Sequence, residues 1–228
     1  DETHELIAKL KHKNRIKVAS IFSHLAGSDD SVFDDFTEKQ IAQFIAITQQ
    51  FDKAFDYKID CHILNSAGIE RFPEAQLDMV RLGIGLYGIS AIGKNKNKLQ
   101  HISSLKTCIS QIRELETGET VGYSRRGVIS KPSKIAVIPI GYADGLNRKF
   151  SNGIGCVMVN NKRVPIVGNI CMDATMIDIT DIEAKEGDEV VIFDKNLTIS
   201  ELADKIETIP YEILTSIARR VKRVYVKE

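Results

Sequence analysis

The 228 residues suffice for one large domain or two small ones with real cores, and 43% hydrophobic against 27% charged residues is an ordinary globular balance. Thirty-one basic and thirty-one acidic residues leave no net charge, which argues against a dominant surface for nucleic acid or an anionic membrane. No apolar run approaches the roughly 20 residues that span a bilayer, and the polar start Asp1-Glu2-Thr3-His4-Glu5 is unlike a secretory leader. Cys61, Cys108, Cys156 and Cys171 are scattered, with the spacing of neither a zinc site nor a disulfide framework. A reducing cytoplasm is the expected home, with no metal.

In chain order, Glu5-Leu6-Ile7-Ala8-Lys9-Leu10 reads as the middle of a helix, and the first residue is not Met, so the chain is expected to be a piece of something longer. Ile16 to Phe22 is a short apolar run ending in Ser23-His24, the pattern of a buried strand. After a polar acidic loop, a helix is predicted from about Thr37 to Phe51. Thr37 followed by Glu38 and Gln40 makes an N-cap and a candidate capping box. Ile41, Phe44, Ile45, Ile47 and Phe51 mark its apolar face. A second strand, Asp60 to Leu64, leads to Asn65-Ser66-Ala67-Gly68 and a further helix near Ile69 to Arg71; a third, Met79 to Gly88, closes this half. The alternation predicts a parallel α/β sheet or barrel. A closed eight-stranded barrel takes about 250 residues, so residues 1–92 read as the C-terminal portion of one.

Gly93-Lys94-Asn95-Lys96-Asn97-Lys98 reads as a polar, basic hinge, and residues 93–228 follow a different pattern. Short strands are predicted over 104–114, 121–129, 133–140, 155–159, 164–172, 175–179 and 189–193, with Gly, Pro, Asn and Asp between them. That spacing suggests an antiparallel barrel or sandwich. Segments 200–206 and 209–216 read as helices, and Arg223 to Lys227 as a final strand. The basic cluster from Arg219 to Arg223 reads as a solvated helix end rather than a phosphate tract. The expected fold is α/β plus all-β: the C-terminal part of a (β/α)8 TIM barrel, then an antiparallel β-barrel-like domain.

Barrel enzymes keep their reactive residues at strand ends. His24 ends the first strand, Asn65 and Ser66 the second, and Arg81 and Gly83 the third. A lone strand-end histidine is by default a satisfied polar group, and Asn65-Ser66 is ordinary turn chemistry. Arg81 is sharper, because a charge within Met-Val-Arg-Leu-Gly-Ile is costly without an anionic or acceptor partner. Gly83 permits the close backbone approach of a phosphate-binding turn; an edge pairing of Arg81 with Asp78 is the structural alternative. In the second half, Gly122-Tyr123-Ser124 and Gly141-Tyr142-Ala143-Asp144-Gly145 set tyrosines beside turns. Each tyrosine alone reads as a packed aromatic, and one acting as a base near neutral pH needs cationic neighbours. Val164 to Asp173 is dense in Gly, Cys, Met and Asp, without spacing that suggests a particular chemistry.

Taken together and in order, these segments resemble the alanine racemase family across essentially the whole chain. The pieces are Phe22-Ser23-His24-Leu25-Ala26, Asn65-Ser66-Ala67, Met79 to Gly88, Val121-Gly122-Tyr123-Ser124, Ile138 to Gly145, Val164 to Asp173, and Ile209-Pro210-Tyr211-Glu212. Any one is weak; the ordered set is specific. The resemblance implies a pyridoxal-phosphate enzyme working as a head-to-tail homodimer, with each active site between the barrel of one subunit and the β domain of the other. Tyr123 would be the catalytic base delivered across the interface. Arg81 would hydrogen-bond the pyridine nitrogen and keep it unprotonated, with His24 in the network joining Arg81 to Tyr123. Ser66, the Gly83 and Ile84 backbone and Tyr211 would hold the phosphate, and Asn65 would sit beside the cofactor. The Met172 N–H would meet the substrate carboxylate, with Tyr142 and Asp173 near the entrance.

Racemisation removes the α-proton on one face and returns it on the other, so it needs two opposed bases. By resemblance these are the tyrosine and the Schiff-base lysine, and that lysine is not in this chain. An N-terminal phosphate-binding tyrosine is also missing, as is an arginine expected just before Asp1. The expectation is a cytoplasmic racemase interconverting L- and D-alanine for peptidoglycan, of which this chain alone is inactive. A parent fused to a peptidoglycan amino-acid ligase is compatible with that start. Alternatives are a racemase of another small amino acid such as serine, and a non-catalytic dimerisation fragment.

Overall fold

Alternating apolar runs and amphipathic helices build the first unit of the computed structural model, Asp1–Gln100, and dense short strands build the second, His101–Glu228. The structure describes residues 2–13, 15–93 and 98–226, so the interior of the predicted hinge lies outside the described residues.

In the first unit, α1 (Glu2–Lys11) carries acidic residues in its first turn and basic ones in its last, in line with its dipole. Strands β1 (Ser20–Phe22) and β2 (Asp60–His62) pair in parallel, Phe22 opposite His62. Between them runs α2 (Asp34–Ala54), which buries Thr37, Phe44 and Phe51. It starts one turn earlier than the capping signal predicts. A 3-10 turn at Ser31–Phe33 feeds the helix, the Asp30 carboxylate accepts the Val32 N–H, and Asp34 and Asp35 fill the first turn. Thr37 is therefore interior and fully buried, and its hydroxyl has no hydrogen-bond partner among the described residues. After β2 comes α3 (Ser66–Arg71), capped by the Asn65 side chain, which accepts the Gly68 N–H. Leu25, Phe44, Ile63, Leu64, Phe72 and Ala75 form one core cluster, and Ile7, Phe51 and Ile59 another.

The predicted third strand does not become a regular one. The Asp78 N–H reaches Cys61 O (3.1 Å) and the Arg81 N–H reaches Leu64 O (2.9 Å), so the segment runs alongside the end of β2. It then turns into a 3-10 helix, Ile84–Tyr87, that ends on Gly88 at φ 75°.

In the second unit the strands are β3 (Leu105–Cys108), β4 (Gln111–Leu115), β5 (Thr120–Val121), β6 (Gly127–Val128), β7 (Ser133–Ile138), β8 (Cys156–Val159), β9 (Lys162–Val167), β10 (Thr175–Asp178) and β11 (Glu189–Phe193). Seven form one antiparallel sheet in the order β3-β11-β8-β9-β10-β7-β4, and β5 and β6 make a separate ribbon. The two outermost strands are one bent segment. Only Ile109 and Ser110 separate them; Ile109 N–H bonds Asp188 O beside β11, and Ser110 N–H bonds Val137 O in β7, each at 2.9 Å. The ends of the sheet thus meet in a single stretch of chain, which curls the sheet around Ile138, Val157, Ile177 and Val190, all at 0% exposure. Two helices follow, α4 (Ile199–Lys205) and α5 (Pro210–Ser216). The predicted final strand is not formed over residues 223–226, where Val224, Tyr225 and Val226 are exposed; Lys227 lies outside the described residues. No described helix is long and apolar enough to cross a membrane.

Ile177 pairs with Ala136 on one side and Ile166 on the other. Ile177→Ala should lower stability by about 3 kcal/mol through lost transfer energy and the cavity left behind. Urea unfolding followed by far-UV circular dichroism measures this. A loss below about 1 kcal/mol would contradict closure of the sheet over this residue.

Candidate active site

Because β1 and β2 are parallel, the residues that follow them emerge at the same edge of the sheet, and Arg81 reaches that edge from the segment beyond α3. One terminal nitrogen of its guanidinium donates to His62 Nδ1 and to the His62 carbonyl (3.2 Å). The other donates to the carbonyls of Ser23 (2.5 Å) and Ile63 (3.3 Å) and lies 3.4 Å from His24 Nδ1. The guanidinium carbon also sits 5.4 Å from the centre of the Phe22 ring, which stacks on His62 at 5.5 Å. None of these partners is a carboxylate. Asp78, the alternative partner, instead takes Lys58 (2.7 Å) and the Cys61 N–H (2.8 Å), and these contacts, Lys58 first, hold its carboxyl below the usual range. Arg81 Nε has no acceptor among the described residues and remains free for one.

His62 is a site residue that the sequence reading passed over, since a histidine inside an apolar strand carries no local signal. An arginine can only donate, so His62 Nδ1 must accept, and the ring is neutral. Burial first, then the Arg81 charge, push its pKa below the ordinary histidine value.

His24, itself exposed, is held through its backbone. Gln40 on α2 donates to His24 O (2.7 Å) and accepts from the Ala26 N–H (3.2 Å). Two residues on, the Ser28 hydroxyl donates to Asn65 Oδ1 (2.9 Å), while Arg71, paired with Asp34, donates to Ser28 O (2.9 Å). The buried Ser66 hydroxyl oxygen accepts the N–H groups of Gly83 (2.9 Å) and Gly85 (3.4 Å). Its own proton has no acceptor among the described residues, so the hydroxyl can donate to an anion at the Gly83-Ile84 turn. His24 and Arg81, Asn65 with Ser28, and Ser66 with Gly83 thus form neighbouring hydrogen-bonded groups in the first unit, with Ile84 next to Gly83 in the same turn.

Tyr123, Tyr142, Met172, Asp173 and Tyr211 belong to the second unit. The predicted strand 121–129 is instead the β5–β6 ribbon, with a 3-10 turn, Tyr123–Arg125, at its tip. Gly122, Ser124 and Arg125 all take positive φ there, and Tyr123 is 71% exposed. The ribbon leans on the loop after β9: a Cβ on Gly168 would come 2.5 Å from Val121 O, and Asn169 Nδ2 donates to Tyr123 O (3.0 Å). That loop continues to Cys171 and Met172, whose carbonyls accept the Tyr142 (3.0 Å) and Ala143 (3.1 Å) N–H groups. Gly141 is indispensable to this contact, since a Cβ there would lie 2.3 Å from Cys171 O. Tyr211 lies on α5, whose last residue, Ser216, donates to Gly145 O (3.2 Å). Among the described residues no group of His, Cys, Asp and Glu could hold a metal ion.

The lowered His62 pKa has a definite sign for stability. The unfolded ring takes up its proton near pH ~6.5 and the folded ring only below that, so the contribution is complete above about 6.5 and lost as the pH falls toward the folded value. Proton titration of His62 by NMR should give a midpoint under about 6.5. A midpoint above 7 would rule out the neutral acceptor.

Comparison with known proteins gives a consistent result. Residues 1–91 match the family model "Alanine racemase, N-terminal domain", and residues 102–225 match "Alanine racemase, C-terminal domain". The chain is 42% identical to alanine racemase 2 of Caldanaerobacter subterraneus subsp. tengcongensis over 96% of its own length and 58% of that protein's. It is 37% identical to the alanine racemase of Clostridium tetani, over 100% and 60% respectively. Among solved structures it is similar to the Bartonella henselae alanine racemase with covalently bound pyridoxal phosphate. That match has 34% identity and a TM-score of 0.87, covering 99% of this chain and 61% of the other. The Streptomyces lavendulae alanine racemase superposes with a TM-score of 0.92 at 28% identity, covering 100% and 62%. The chain therefore spans about 60% of the length of these relatives.

Proposed function

The chain belongs to the alanine racemase family, and we propose that the protein carrying it interconverts L- and D-alanine with pyridoxal phosphate, supplying D-alanine for peptidoglycan. The observation that carries this reading is the guanidinium of Arg81, anchored by carbonyls and imidazoles, with no carboxylate partner and no acceptor for Nε among the described residues. Such a group suits an uncharged ring nitrogen: it donates a hydrogen bond and, being always charged, holds that nitrogen unprotonated. A carboxylate in the same place would invite protonation.

The donor set of the first unit fits the rest of the cofactor. The Ser66 hydroxyl and the backbone of Gly83 and Ile84 would hold the phosphate, and Asn65 would border the ring. When bound, the cofactor draws electron density from the α-carbon and so acidifies its proton. Tyr123 is the base on one face, its exposed position on the ribbon tip suited to service in a partner's site. The partner is a second copy arranged head to tail, so that the barrel portion, residues 1–92, and the β domain, residues 93–228, of different subunits meet at each site. His24 links the Arg81 cluster to the Tyr123 phenol, and the Met172 N–H receives the substrate carboxylate, with Tyr142 and Asp173 at the entrance. The lysine acting on the opposite face belongs to barrel residues that the relatives have and this chain does not span. The cytoplasm is the proposed compartment, in keeping with four cysteines free of disulfides.

The test is D-alanine formation from L-alanine by the chain joined to the barrel residues of a relative, in pyridoxal phosphate. Tyr123→Phe should then lower kcat by about a thousandfold, in the range for loss of a positioned acid–base group. An inactive wild type, or a Tyr123→Phe variant as fast as the wild type, would refute the reading.

A further inference from the structure

Arg220 lies in the basic cluster that composition alone assigns to solvent, yet its side chain joins segments far apart in sequence. Nε donates to Asp144 Oδ1 (2.7 Å), and a terminal nitrogen donates to Asp173 Oδ1 (2.5 Å). Asp144 closes the Tyr142-bearing turn, where its other oxygen accepts the Gly141 N–H (2.9 Å) and its carbonyl accepts the Ala218 N–H (3.0 Å). Asp173 directly follows Met172. The two turns already share the Tyr142–Cys171 and Ala143–Met172 backbone bonds, and Arg220 bridges them a second time by two charge-assisted bonds. Arg223, three residues on, behaves differently: it donates only to the carbonyls of Ile217, Ala218 and Val221 in its own segment.

We propose that Arg220 is a positioning residue for substrate capture: by clamping Asp144 to Asp173 it fixes the Tyr142 turn against the Met172 turn. This rests on the racemase reading, in which Met172 meets the substrate carboxylate. The clamp sets ground-state and transition-state binding alike, so its loss falls on KM rather than kcat. Lysine cannot replace arginine here, since a single ammonium does not reproduce a planar fork between two carboxylates.

Two measurements test this. In the chain itself, hydrogen–deuterium exchange of the Tyr142 and Ala143 amides should quicken by about tenfold in Arg220→Ala, with the β7–β10 ladder unaffected. In the completed racemase, Arg220→Ala should raise KM for alanine by about tenfold with kcat within about threefold, and Arg220→Lys should recover only part of that. Arg223→Ala should leave KM within about twofold of wild type. If Arg220→Ala does not fold, Arg220→Lys is read in its place. Unchanged exchange, an unchanged KM, or an equal KM rise in Arg223→Ala overturns the inference. A wild type without racemase activity overturns the functional reading itself, while the exchange arm still reports whether the clamp exists.

Discussion

A full positive charge, that of Arg81, stands at the ends of two parallel strands with no carboxylate among the described residues to neutralise it. Even partial burial of such a charge is costly, and the cost is offset here by the carbonyls of Ser23, His62 and Ile63 and by the His62 ring. Those carbonyls are available only because β1 and β2 are parallel and end together, so the sheet geometry and the charge depend on one another. A barrel wall with these strands antiparallel would present its chain ends at opposite edges and leave the guanidinium without its ring of acceptors.

The same constraint explains the surrounding loops. A donor fork needs acceptors at fixed positions, and the loop that follows Ser23 is tethered in turn by Gln40 from α2, at His24 and Ala26, and by Arg71 at Ser28. Such side chain to backbone bonds leave almost no trace in sequence. Arg81 could be singled out because a charge in an apolar run is anomalous; Gln40 and His62 could not, since a glutamine on a helix and a histidine in a strand are unremarkable. Thr37 misled for a related reason. A threonine followed by Glu and Gln has the form of a cap, but the acidic residues before it and the turn at Ser31–Phe33 start the helix sooner.

The second unit was legible in its strands and less so in its ends. Turn residues between short apolar runs placed most strands within a few residues, and the structure gives these strands the alternating burial of a sheet with one buried face. A β-prone run does not report whether it has a neighbour, and residues 223–226 form no strand and are exposed throughout. Nor does it report where a strand bends or breaks. The stretch 121–129 splits around the Tyr123 turn because Gly122, Ser124 and Arg125 all take positive φ, a conformation that no extended strand contains. The arginine clamp at Arg220 is invisible for a third reason: its partners lie 76 and 47 residues away.

The bent segment from Leu105 to Leu115 has a consequence of its own. Its first part is aligned against β11 and its second against β7, with only Ile109 and Ser110 between. A slip of one residue on either side would turn every side chain of that part over, and it could not occur alone, because the short connection has no slack to absorb it. Each pairing therefore proofreads the other, and the alignment of the whole ring is specified twice by one stretch of eleven residues.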